Sequence, residues 1–146
     1  MSDLVGGNRK VEHKFRDPRE SPNDVITLDL DYPITKFESS MYKALLEAFA
    51  ESYPGVESIY IRKSSSGNIH VSIHLKHPVS FWDRVVIRAW LHDDPSRIVN
   101  DIKRFTKGEP IERLFSTKGT DGVFRHAGEW KKIFPKCFFL SIQSYV

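Results

Sequence analysis

The chain has 146 residues, 40% of them hydrophobic and 28% charged, with a formal net charge of +3. That is enough to bury one core, and it excludes fibrous and disordered classes. No apolar run approaches the ~20 residues of a membrane span, the opening MSDLVGGNRK lacks the apolar centre of a signal peptide, and the single cysteine, Cys137, excludes an internal disulfide, a Cys-based zinc site and a redox pair, so a cytoplasmic protein is expected.

In chain order, residues 1–22 are polar and mixed in charge and read as a flexible N-terminal arm, and 23–146 read as a single domain. A strand is expected at Val25–Asp31. Met41, Leu45, Ala48 and Phe49 recur at helical spacing within Phe37–Tyr53, and Pro54-Gly55 ends that helix. A strand Glu57–Lys63, the turn Ser64-Ser65-Ser66-Gly67-Asn68 and a strand Ile69–Leu75 follow, the last with Val71 and Ile73 on one face and His70, Ser72 and His74 on the other. Ser80 can cap a helix Phe81–Leu91, and Asp94-Pro95 opens another through Phe105. Then come a short strand Leu114–Thr117, a loop Gly119–Gly128, a turn or short helix Glu129–Phe134 and a final strand Cys137–Gln143. This order implies an α+β fold, an RRM-like or ferredoxin-like antiparallel sheet with helices packed on one face and the first strand beside the third.

The stretch VITLDLDYP sets Asp29 and Asp31 on one face of a strand, where they can close on one divalent cation or simply mark the strand's end. If the first and third strands are neighbours, His70 stands across from them, and the three converge on one open groove. The SSSGN turn is either a plain hairpin or a cradle whose small residues let a phosphate approach the backbone. Lys and Arg gather in Arg97–Lys107 and Arg113–Lys136, which suits a protein holding phosphates beside metal-binding acids. Trp130 and Phe124 can stack on bases or pack in the core.

The succession VITLDLDYP, SSSGNIHVSI and LHDDPSRIVNDIKRF…RLFSTKG resembles the catalytic core of the archaeo-eukaryotic primases and primase-polymerases, over roughly residues 25–118. The resemblance implies a metal-dependent nucleotidyltransferase that makes or extends primers from nucleoside triphosphates on a single-stranded DNA template. It implies Mg²⁺ or Mn²⁺ held by Asp29, Asp31 and a third acid, best matched by Asp94, with Asp93 and Asp101 as rivals. By the same resemblance Ser66, His70, Lys103, Arg104 and Lys118 bind the nucleotide. The chain has room for the catalytic core alone, so a second replication protein is a further expected partner. A reading from another class is a nucleic-acid-binding RRM-like domain without catalysis, involved in replication.

Overall fold

The computed structural model describes residues 23–30, 35–112, 114, 117–120 and 123–136. Their elements are β1 (Val25–Leu30), α1 (Lys36–Ser52), β2 (Val56–Lys63), β3 (Ile69–Leu75), α2 (Phe81–Trp90), α3 (Pro95–Thr106), β4 (Thr117–Thr120), β5 (Val123–His126) and β6 (Lys131–Phe134). β1, β3, β2 and β6 form an antiparallel sheet in the order β1-β3-β2-β6, and β4 and β5 pair as a separate hairpin. The fold is α+β with β1 beside β3, compatible with an RRM-like or ferredoxin-like sheet. No helix among the described residues is long and apolar enough to cross a membrane.

Strand alternation fixes the core. Ile26, Leu28 and Leu30 share a face with their cross-strand partners Ile73, Val71 and Ile69, and Ile59 and Ile61 continue it onto β2. Tyr42, Leu46, Phe49 and Ala50 of α1 cover this face, together with Ile87 of α2 and Leu91. Leu46, Ile59 and Ile73 are fully buried, each worth roughly 1.5–3 kcal/mol of transfer free energy. The tyrosine hydroxyl of Tyr42 donates to the Leu91 carbonyl at 2.6 Å, which ties α1 to the end of α2.

The opposite face is polar yet also buried. Thr27, His70, Ser72 and His74 are all 5% exposed or less. Their polar groups have partners: Ser72 Oγ meets His74 Nε2 at 3.2 Å, and Arg62 Nε donates to His70 Nδ1 at 3.0 Å. The Arg62 guanidinium lies over the Trp130 ring, 4.4 Å from its centroid. Trp130 thus packs against the sheet, also touching Val25.

Between residues 117 and 134 the structure departs from the expected elements. Thr117–Thr120 and Val123–His126 form a hairpin where a loop was expected, and Lys131–Phe134 is a strand rather than a turn or helix. Pairing with β2 across Ile59–Phe134 and Ile61–Lys131 supplies hydrogen bonds that local propensity in this lysine-rich segment does not predict. The expected strand Cys137–Gln143 lies outside the described residues.

Candidate functional site

β1 lies at the edge of its sheet, so the backbone groups of Val25, Thr27 and Asp29 that face away from β3 need other partners. Side chains from α2, α3 and the segment after them provide these. Arg84 Nη2 donates to the Val25 carbonyl, and Thr27 N–H donates to Glu112 Oε1 at 2.9 Å. The Thr27 carbonyl accepts from Arg97 Nη1 at 2.9 Å, and the Asp29 N–H donates to Asp93 Oδ1 at 2.8 Å. Asp94 N–H completes the edge by donating to the Asp29 carbonyl at 3.2 Å.

Behind this edge the same residues form a buried ionic network. Arg88, fully buried, pairs with Asp93 at 2.6 Å, Asp101 at 2.9 Å and Glu112 at 3.6 Å. Arg84 Nε donates to Glu112 Oε2 at 2.8 Å, and Arg97 Nη1 to Asp93 Oδ2 at 2.9 Å. Burial opposes the charge on Arg88, but Glu112, Asp93 and Asp101 outweigh it and raise its pKa. Burial likewise opposes ionisation of Glu112, and Arg84 foremost, then Arg88 and Arg97, hold it below the usual carboxylate range. Glu112 sits at a φ of 59°, the left-handed region, and its N–H donates to Asp101 Oδ2 while its carbonyl accepts from Thr27 Oγ1. His92, at a φ of 68°, turns the chain between α2 and α3 so that Asp93 returns to β1.

Above the network opens a cleft of about 500 Å³ lined by Asp29, Asp94, Ser96, Arg97, Asn100 and Arg104, among others. The Asp29 side chain is 31% exposed there. Asp94 is the N-cap of α3, its Oδ1 accepting from Ser96 N–H at 3.0 Å, with Pro95 opening the helix. A capping carboxylate retains lone pairs for a second partner. Arg104 reaches Asp101 at 3.1 Å with its side chain 47% exposed, so donors remain for a bound anion.

The expected residues therefore separate. Asp29, Asp94 and Arg104 share this cleft. Of the rival third acids, Asp93 is buried in the arginine network, and Asp101 also lines the cleft but is almost wholly buried and paired with Arg88 and Arg104. His70 does stand across from Asp29 in the β1–β3 register, with Nε2 3.7 Å from Asp29 Oδ1. It is 5% exposed, however, and is not among the residues lining the cleft beside Asp29. Burial, then the charges of Arg62 and Arg97, push its pKa down to about 3, so the ring is neutral at physiological pH. With Nδ1 accepting from Arg62, the ring proton sits on Nε2 and faces Asp29. His70 is thus a buried, neutral neighbour of Asp29 that does not line the cleft. Lys103 is exposed on α3 but does not line the cleft. Asp31 lies outside the described residues, as does the side chain of Lys118.

The SSSGN turn spends its amides on itself. Ser66 N–H and Asn68 N–H donate to Ser64 Oγ, and Gly67 N–H donates to the Ser64 carbonyl at 3.0 Å. Gly67 has a φ of 87°, which the turn requires and other residues rarely adopt. Of the two readings of this turn the structure shows the hairpin, joining β2 to β3, and Ser66 is exposed on it. Gly67 and Asn68 instead border a second cleft of about 660 Å³, lined by Lys43 of α1, Arg62 and Lys63 of β2, and Lys131 of β6.

The residues that the motif reading missed are Arg84, Arg88, Arg97 and Glu112. A signal was present for two of them: Phe81, Arg84, Arg88 and Leu91 recur at helical spacing, which puts both arginines on the core side of α2. The first cleft suits a hard divalent cation in its donor chemistry, since Asp29 and Asp94 bring carboxylate oxygens to one opening. Among the described residues no group of three or more His, Cys, Asp or Glu side chains is gathered closely enough to hold a metal ion. No known protein family, curated protein or solved structure matches this chain.

Proposed function

We propose that the chain is a metal-dependent nucleotidyltransferase of the primase or primase-polymerase type, which makes or extends primers on a single-stranded DNA template from nucleoside triphosphates. The observation that carries this reading is the cleft lined by both Asp29 and Asp94 beside Arg104. Acid and guanidinium groups in one opening are what triphosphate chemistry uses: carboxylates for the cation, Arg for the phosphate oxygens. Asp29 and Asp94, with Asp31 two residues on, are the residues to hold Mg²⁺ or Mn²⁺, which when bound lowers the pKa of the attacking hydroxyl and neutralises the leaving pyrophosphate. Arg104 and Asn100 orient the triphosphate, and the neutral His70 presents its Nε2 proton to Asp29 from below.

Replacing Asp29 by Asn lowers nucleotide incorporation on primed or unprimed single-stranded DNA by roughly 100-fold or more, the loss of several kcal/mol of transition-state stabilisation. Asp94→Asn has the same effect while keeping its helix cap, because Asn caps as well as Asp. Equal incorporation by wild type and both variants, with unchanged melting temperatures, would overturn the proposal.

A second reading, the non-catalytic nucleic-acid-binding domain, draws on the cleft bordered by Lys43, Lys63 and Lys131, whose cations suit a phosphate backbone. Titration with Mn²⁺ separates the two. The enzyme binds the ion in a manner abolished by Asp29→Asn, whereas the binding domain shows salt-dependent DNA affinity and no such site.

A further inference from the structure

Helix α2 presents an apolar stripe to solvent. Trp82, Val86 and Trp90 are 58%, 64% and 65% exposed and stand four residues apart, one above another on a single helix face. The stripe continues onto α1. Trp90 meets Phe49 edge to face, with ring centroids 6.0 Å apart, and Leu45 and Met41, 36% and 59% exposed, lie one and two turns before Phe49.

Isolated exposed apolar residues are ordinary, but a contiguous patch rich in Trp is not. At about 250 Å² for a fully exposed Trp, Trp82 and Trp90 together offer on the order of 300 Å². Val86, Met41 and Leu45 bring the patch to the ~600 Å² upper end of what monomers display.

We propose that this face is a self-association surface, occupied by a second copy of the chain across a two-fold axis at Val86. The spacing is its own mirror about that residue: position 82 lies as far before Val86 as position 90 lies after it. A two-fold axis requires that if residue i of one copy meets residue j of the other, j also meets i. Val86 then packs on Val86 of the second copy, and each Trp82 packs on the second copy's Trp90. The area fits this occupant, since two such patches bury roughly 1,000 Å² in total, the lower bound of a specific interface. An interface of that size gives a reversible dimer at micromolar to millimolar concentration rather than an obligate one.

The test is sedimentation equilibrium of the full chain over a concentration series up to ~1 mM, with intrinsic Trp fluorescence followed on dilution. The expected result is a monomer–dimer equilibrium whose dissociation shifts Trp emission to longer wavelength. Val86→Glu sets like charges on the axis and raises the dissociation constant at least tenfold, and Val86→Lys does the same. An equimolar mixture of the two variants associates again, because unlike charges then face each other. Circular dichroism checks that the variants are folded, and the wild-type dilution series needs no variant. A chain that remains monomeric throughout the series overturns the proposal and leaves the stripe to a different protein. A dimer that both Val86 variants form as tightly as wild type also overturns it, by placing the interface elsewhere.

Discussion

The two faces of helix α2 depart from the usual arrangement. Its inner face buries Arg84 and Arg88, 3% and 0% exposed, beside the apolar Phe81 and Ile87, and its outer face carries Trp82, Val86 and Trp90. An ordinary surface helix turns its apolar stripe to the core. Here the inner face meets the unpaired edge of β1 and three buried carboxylates, and it must supply donors there, with the arginine stems packing as apolar surface and their heads reaching the edge. Hydropathy alone therefore places Phe81 and Ile87 on the buried face but not Arg84 and Arg88.

The comparison is broken most severely at Arg88. Arg88→Ala strands Asp93, Asp101 and Glu112 without their shared cation, and unfolding free energy from urea titration falls by about 3–5 kcal/mol. A smaller loss would mean that the network is wetter than its burial indicates. Arg88→Met with Asp101→Asn, which removes charge on both sides, recovers part of that loss if uncompensated charge is the cause.

Acid titration tests the polar face of the sheet next to this network. The folded His70 holds off protonation until about pH 3, whereas the unfolded chain takes up a proton near its ordinary value of 6.5. The unfolded state therefore binds more protons between these values, and stability falls as pH is lowered through that window, by up to ~1.4 kcal/mol per unit. Melts between pH 6.5 and 5 avoid the loss from Glu112, which falls at more acid pH, below its ordinary 4.5. His70→Asn flattens the slope in that interval, and an unchanged slope would show that the ring is protonated in the fold.

The outer face responds least. Trp82→Gln changes monomer stability by within ~0.5 kcal/mol, as expected for an exposed position outside a cap or core. Trp90→Gln costs slightly more, about 0.5–1.5 kcal/mol, because its edge-to-face partner Phe49 lies on another helix, whereas that of Trp82, Phe81, is its neighbour in the chain. Both are read from chemical denaturation at low concentration, where self-association does not contribute. A multi-kcal/mol loss at Trp82 would place the residue in the core and remove the contrast between the faces.

Much of the scaffold was legible before any coordinates. Alternation in VITLDL and IHVSIHL located β1 and β3 and set Asp29 opposite His70, and Ser80 and Asp94-Pro95 marked the starts of α2 and α3. β6 was not legible, since a strand of lysines owes its existence to the edge of β2 that it completes. The candidate site was legible only in part. The VITLDLDYP motif pointed to Asp29 and the primase resemblance to Asp94, and both line the cleft, whereas His70 reads as a ligand in the motif and is a buried, neutral neighbour in the fold.

Periodicities, caps and turns could be read from the chain alone, because these depend on residues a few positions apart. Gly67 in its turn and Pro95 at the start of α3 act through local backbone geometry alone. How Asp93, Asp94 and Asp101 divide follows from the tertiary structure: Asp94 lines the cleft, Asp93 is buried against Arg88, and Asp101 borders the cleft while paired with Arg88. The reason is electrostatic: a carboxylate's role follows from the charges and solvent within a few ångströms of it, and here those neighbours come from β1, α2 and Glu112, brought together by the fold.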